Sequence, residues 1–258
     1  LKKELERFWK QIILSEVIMN KHNACIVSFY MDNVSDKTVQ CQREVVQKFN
    51  KSKKPHYTIK VDTPHGISID YFWGINGCKP ETLKNYDIQK QIDHDVALIL
   101  DIDCIPLSDY AIDFYVEKAA EGRLIGNAQR SNHINNNQHV FAAPSAMGIS
   151  KSTFQKIGIP SALETSRSDV GEEYTWKAEE QGIPVDLLMP LRYDKPPIRF
   201  QWEVNQPPYW ALADGMPVYG IGTTFGNEEH GELFWHSFQI FHPGQQENFW
   251  NKCQSILV

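Results

Sequence analysis

Through the first half of the chain, runs of five to seven residues rich in β-branched and aromatic side chains alternate with stretches whose apolar positions recur every three or four residues. The runs are Ala24 to Tyr30 (ACIVSFY), His56 to Val61 (HYTIKV), Val96 to Leu100 (VALIL) and Leu124 to Gln129. Their length and content predict strands, and the continuous apolar run at 96–100 predicts one buried on both faces. Between them, Ser35 or Asp36 can cap a helix reaching about Asn50, with Val39, Val45, Val46 and Phe49 on its apolar face. A helical stretch with Ile69, Tyr71, Phe72 and Trp73 follows, then helices around Leu83 to Gln91 and Asp109 to Glu121, and residues 1–20 open the chain as another. This βαβαβαβ alternation predicts an α/β fold of Rossmann-like type: a mostly parallel central sheet with helices on both faces.

The second half is less regular and predicts a smaller mixed region. Ser131 to Gln138 is a polar, Asn-rich loop, and Val140 to Ser150 (VFAAPSAMGIS) reads as a bent or paired strand whose small central residues leave room for a ligand. A helix beginning at Ser168 or Asp169 ends before Gly182, Val185 to Pro190 forms a strand, and Arg199 to Gly226 is rich in aromatics, Pro and Gly. Leu233 to His242 (LFWHSFQIFH) is extended, and a last helix covers roughly Gln245 to Leu257. We read 1–258 as a single domain, with residues 22–130 as one half and 131–258 as the other.

Composition narrows the class. The 258 residues are 41% hydrophobic and 22% charged, ordinary values for a folded globular protein. No apolar run approaches the roughly 20 residues that span a bilayer, and the charged first ten residues lack a signal-peptide core, so the sequence reads as cytoplasmic. Five scattered cysteines, none spaced C-x-x-C, argue for free thiols rather than a disulfide framework or a zinc site. The net charge of −6 offers no overall basic field for nucleic acid. Lysines 48, 51, 53 and 54 read as a solvated helix end.

Candidate chemistry concentrates where the 96–100 run ends, in Ile-Leu-Asp101-Ile-Asp103. Residues two apart in a strand project the same way, with Cα atoms roughly 6.5 Å apart, so the two carboxylates are placed to hold a divalent cation. Two chemistries use such a D-x-D. In a haloacid-dehalogenase-type phosphatase Asp101 would be the nucleophile, but the pattern needs Thr or Val where Ile105 stands.

The other match is broader. From about Ala24 to His242 the chain resembles the metal-dependent glycosyltransferases of GT-A type: a nucleotide-binding βαβ region, the D-x-D in ILDIDCIPL, the small-residue segment APSAMGISKSTF, the acidic helix start DVGEEYTW and a late histidine in FWHSF. The resemblance implies transfer of a hexose or pentose from a nucleotide-diphosphate sugar to a carbohydrate or other hydroxyl acceptor, with Mn²⁺ or Mg²⁺ as cofactor. It implies Asp103 as a direct metal ligand, Asp101 as a ligand or donor contact, and His236, with His242 as the fallback, closing the metal shell. Tyr30, Asp32, Asp62 and Ser145 fall where the donor would lie, residues 22–130 become its nucleotide-sugar half and 131–258 its acceptor half. A non-catalytic nucleotide- or carbohydrate-binding domain is the third alternative.

The Asp169-Val-Gly-Glu-Glu173 segment has two explanations. With Asp169 as N-cap, Glu172 completes a capping box, which leaves Glu173 unexplained. In the resembling inverting enzymes an acid at this place takes the acceptor proton, and Glu173 matches best, with Glu172 and Asp169 as competitors. Trp202, Tyr209 and Trp210 are candidates for stacking on a sugar, and Arg130, Arg192, Lys195 and Arg199 for meeting phosphate.

Overall fold

The computed structural model describes residues 22–61, 69, 73, 93–131, 135, 138–195, 221–237, 240 and 244–258. The expected helix over 1–20, most of those over 69–73 and 83–91, and Asp62, Arg199, Trp202, Tyr209, Trp210 and His242 lie outside them.

Nine strands are described: β1 (Ala24–Tyr30), β2 (His56–Lys60), β3 (Val96–Leu100), β4 (Cys104–Pro106), β5 (Leu124–Arg130), β6 (Val140–Ser150), β7 (Val185–Lys195), β8 (Ile221–Asn227) and β9 (Gly231–His236). They form one sheet in the order β2-β1-β3-β6-β5-β7-β8-β9-β4. The helices are α1 (Asp36–Phe49), α2 (Ala111–Ala120), α3 (Lys151–Lys156), α4 (Glu172–Glu180) and α5 (Gln245–Leu257). None of the described helices is long and apolar enough to cross a membrane.

The sheet is mixed, which corrects the expectation of a mostly parallel one. β1 pairs parallel with β2 and β3, and β5 with β7, but β3–β6, β5–β6, β7–β8, β8–β9 and β4–β9 are antiparallel. The cause is the connection after β5. Residues 131–139 are too few for the crossover of about a dozen or more residues that a parallel neighbour needs. The chain therefore turns back, and β6 inserts antiparallel between β3 and β5. β8 was not evident from the sequence: the polarity of IGTTFGN hides the fact that Thr223 and Thr224 are buried. At its end the turn to β9 is held by the Asn227 side chain, which accepts from His230 N–H at 2.7 Å.

Alternation along the central strands feeds two cores. Cys25, Val27, Phe29, Ala97 and Ile99 pack with Phe154, Tyr174 and Ala178. Ile26, Leu98 and Leu100 pack instead with Val46, Ala111, Ile112 and Tyr115. The small residues of β6 serve this packing. A Cβ at Gly126 would stand 2.7 Å from that of Ala142, so β5 and β6 approach more closely than any larger pair would permit.

Helix α1 forms as its sequence predicts. Ser35 caps it by accepting from Thr38 N–H at 3.3 Å, and Thr38 in turn donates to Gln246 and accepts from Trp250 of α5. After α1, Asn50 clasps the next turn through both main-chain groups of Lys54, at 3.0 and 2.7 Å. The Lys54 ammonium is thereby buried, paired with Asp113 of α2 and donating to Ser52 Oγ at 2.6 Å. Removing one partner of such a pair leaves a buried charge without compensation. Asp113→Ala should lower the unfolding free energy by about 3–5 kcal/mol in urea titration, whereas Lys54→Met combined with Asp113→Leu should cost far less.

Candidate metal centre

Asp101 follows the last residue of β3, and Asp103 immediately precedes β4. The main chain between them is held as a tight turn, with Cys104 N–H donating to Asp101 O at 2.9 Å. Gln42, a polar residue on the buried side of α1, donates through Nε2 to the carbonyls of Asp101 (2.6 Å) and Cys104 (3.0 Å). Asp101 N–H donates to Ser145 O at 3.1 Å, which ties the turn to β6.

The third member arrives from the far end of the chain. β9 pairs with β4 so that His236 lies opposite Cys104, and this register sets the imidazole beside the acids. His236 Nε2 lies 3.1 Å from Asp103 Oδ1. The main chain then wraps Asp103: Ser237 N–H donates to its carbonyl at 2.9 Å, and Ile240 N–H to Oδ2 at 3.4 Å. Ligand atoms of Asp101, Asp103 and His236 all lie within 4.8 Å of one another.

Asp103 and His236 are buried, and Asp101 is partly exposed. Desolvation, then the charge of Asp103, push the Asp101 carboxyl up to about 6, against an opposing pull from His236. At His236, burial alone would lower the imidazole's pKa, but the charge and hydrogen bond of Asp103, with Asp101 behind them, outweigh it and the net shift is upward. Part of each shift comes from neighbouring negative charge, which a bound cation would offset. The donor set fits one: two hard carboxylates and an imidazole suit Mn²⁺, and carboxylates also suit Mg²⁺.

Beneath the turn runs a buried polar column. Tyr115 OH donates to Asn127 Oδ1 at 2.7 Å, and Asn127 Nδ2 donates to Ser145 Oγ at 3.2 Å. The Ser145 hydroxyl thus engages the interior, while its carbonyl meets Asp101. Tyr30 and Asp32 lie at and just beyond the end of β1, which runs parallel beside β3, so they sit toward the same edge of the sheet. Tyr30 packs near Val39 and Ile105, and Asp32 pairs with Lys60 at 2.5 Å.

The acidic segment starts its helix later than its sequence suggests. The N-cap of α4 is Gly171, in a left-handed conformation (φ 76°), rather than Asp169. The ring of Pro144 stands 3.0 Å from where a Cβ at Gly171 would lie. Only glycine combines that φ with that contact. Glu172 is wholly buried and accepts from Ser131 Oγ (2.7 Å), His139 Nδ1 (2.6 Å), Asp169 N–H (2.6 Å) and Trp176 Nε1 (3.1 Å). The Asp169 contact has the form of the reciprocal half of a capping box. Glu173 receives a two-point contact from Arg167, through Nε at 3.2 Å and Nη2 at 2.5 Å. Asp169 Oδ1 accepts from Val170 N–H at 2.7 Å.

Because Gly171 rests on Pro144 and Ala142 N–H donates to Thr175 Oγ1, α4 begins over the stretch of β6 whose Ser145 holds Asp101. Gln42, His139 and Arg167 are the participants sequence reasoning passed over. Gln42 carried a signal, as a polar residue in register with the apolar Val39 and Val46. His139 and Arg167 carried none, since their partners are set by folding.

No protein-family model and no curated protein sequence matches the chain. Among solved structures it is similar to a Desulfovibrio desulfuricans G20 protein described as a nucleotide-diphospho-sugar transferase (9% identity, 65% of this chain and 80% of that one, TM-score 0.38). It is also similar to a Drosophila β1,4-galactosyltransferase 7 in complex with manganese, UDP-Gal and xylobiose (10% identity, 63% and 64%, TM-score 0.35). A glycosyltransferase involved in glycosylation of the major capsid of PBCV-1 matches over 90% of this chain and 99% of its own (10% identity, TM-score 0.40). At such identities and scores, the functional reading rests on the geometry of the site itself.

Glu172 yields a test by pH. Burial alone would raise its carboxyl, but the His139, Asp169 and Ser131 hydrogen bonds outweigh this and hold it below its ordinary 4.5. A carboxylate so depressed stabilises the fold above pH 4.5, and that contribution is lost as pH falls through the folded value. Glu172→Gln should cost about 2–4 kcal/mol in urea unfolding at pH 7, and the difference from wild type should shrink below pH 4.5.

Proposed function

We propose that the chain is a glycosyltransferase of GT-A-like fold that moves a sugar from a nucleotide-diphosphate donor to a hydroxyl acceptor, with a divalent cation held by Asp101, Asp103 and His236. The observation that carries this reading is the convergence of those three side chains, two from the turn between β3 and β4 and one from the end of β9, in a largely buried setting. A bound Mn²⁺ or Mg²⁺ would supply Lewis-acid stabilisation of the charge that gathers on a departing diphosphate. Asp103 and His236 are direct ligands in this assignment, and Asp101 faces both ion and donor. In this reading the nucleotide side is assigned to Tyr30 and Asp32 and the acceptor side to the second half of the chain, while Ser145 acts from β6 by holding Asp101 through its carbonyl.

For proton transfer we assign Glu173. Glu172 is closed to solvent and already accepts four hydrogen bonds, so its role is to set the start of α4. Glu173 is held in orientation by Arg167, and each carboxylate oxygen keeps a lone pair beyond that contact. A base so placed would take the acceptor proton from its hydroxyl oxygen in an inverting transfer. Asp169, partly exposed, is the competing position.

The test is calorimetric titration of UDP and GDP with and without Mn²⁺. Mn²⁺ should strengthen binding at least tenfold, and Asp103→Ala or His236→Ala should abolish that increment. An increment that survives Asp103→Ala would overturn the assignment, as would phosphate release from an aryl phosphate that Asp101→Asn eliminates. With donor and acceptor in hand, Glu173→Gln should lower kcat by about 10²-fold or more with little change in donor affinity.

A further inference from the structure

The end of α1 and the start of β2 frame an open cleft of ≈ 610 Å³ lined by Arg43, Lys48, Lys51, Lys53, Lys54 and His56, among others. Five cations around one cleft are unexpected in a chain whose net charge is −6. Two of them are neutralised, Lys51 by Asp109 and Lys54 by Asp113. The other three are not. Arg43 donates to the Thr58 hydroxyl and Lys48 to the carbonyl of Ile256, and among the described residues none of Arg43, Lys48 and Lys53 meets a carboxylate.

The simplest structural explanation is the dipole of α1, which favours cations at its C-terminus. It accounts for Lys48 and Lys51. It does not account for Arg43, which lies before the last turn, or for Lys53, which lies beyond the cap. Lys53 holds a left-handed backbone (φ 53°), a conformation unfavourable for a residue with a Cβ. Asn50 fixes that conformation by clasping the main chain of Lys54, so the ammonium group projects from a rigid turn. Burial first and then the charge of Arg43 lower the His56 imidazole to about 4.

We propose that this cleft binds a ligand bearing two or more phosphate groups. Its volume is that of a small-molecule site and exceeds what a single inorganic phosphate fills. An arginine fork and two lysine point charges without counterions match several phosphate oxygens at once. The cleft shares no lining residue with the Asp101–Asp103–His236 centre, so its binding requires no divalent ion and does not depend on the proposed transferase reading. The chemistry is common to a soluble polyphosphate ester and to a phosphorylated lipid headgroup.

Calorimetry of the full chain with sodium tripolyphosphate in EDTA, beside sedimentation with phosphatidylcholine vesicles that contain or lack phosphatidylinositol bisphosphate, tests this and separates the sources. Arg43, Lys48 and Lys53 are exposed, so Arg43→Gln with Lys53→Gln should leave the unfolding midpoint unchanged. Tripolyphosphate binding weakened at least tenfold in that variant, and retained in Asp103→Ala, supports a soluble ester. Sedimentation that requires the phosphorylated lipid and is lost in the variant supports a headgroup. The conservative Arg43→Lys with Lys53→Arg should keep whichever binding is seen, and Lys48→Gln should weaken it independently. Absence of both kinds of binding in the wild-type chain, or equal binding in the Arg43→Gln/Lys53→Gln variant, overturns the proposal.

Discussion

Two carboxylates standing two residues apart, at a place partly closed to water, repel one another unless positive charge intervenes. Asp101 and Asp103 are held in that arrangement by the rest of the fold. His236 Nε2 supplies part of the answer, and the N–H of Ile240, which donates to Asp103 Oδ2, supplies more. Burial, and after it the charge of Asp103, still raise the Asp101 carboxyl to about 6. The β4–β9 pairing, the Gln42 clamp on two carbonyls and the Tyr115–Asn127–Ser145 column all act to keep these charges where they are. Such a turn would otherwise relax and let the acids separate into solvent.

The antiparallel insertion of β6 is what connects that turn to the acids of α4. Had the chain crossed over after β5 to extend a parallel sheet, Ser145 would not lie against Asp101. Instead β6 holds Asp101 through one main-chain bond and supports Gly171 through Pro144, so both acidic groups are referenced to the same few residues. The compactness this needs explains Gly126 and the alanines opposite it, whose smallness serves strand-to-strand approach.

Charge is distributed unevenly between two regions. Among the described residues, those that converge at the end of β3 are two acids and an imidazole, a donor set for a cation. At the end of α1 the protein provides cations directly, two neutralised by α2 and three left open. A net-negative chain thus gathers several cations around one cleft that shares no residue with the metal ligands.

Much of the local structure was legible without coordinates. The 96–100 run, its terminal Asp101 and Asp103, the Ser35 cap of α1, and the last helix at Gln245–Leu257 follow from periodicity, capping chemistry and strand length, all properties of neighbouring residues. Strand direction was not legible, because whether β6 runs with or against β3 depends on a loop-closure choice made among distant strands. Nor was β8, whose threonines become core residues only when β7 and β9 flank them. That His236 rather than a nearer residue faces Asp103, that Gly171 rather than Asp169 caps α4, and that Arg167 engages Glu173 are all outcomes of register and packing between segments far apart in the chain. The sequence by itself determined which residues could carry the chemistry and which element each belonged to. Only the tertiary structure decided which of them meet, because a contact between residues 133 positions apart, such as Asp103 and His236, depends on the register of every strand pair between them.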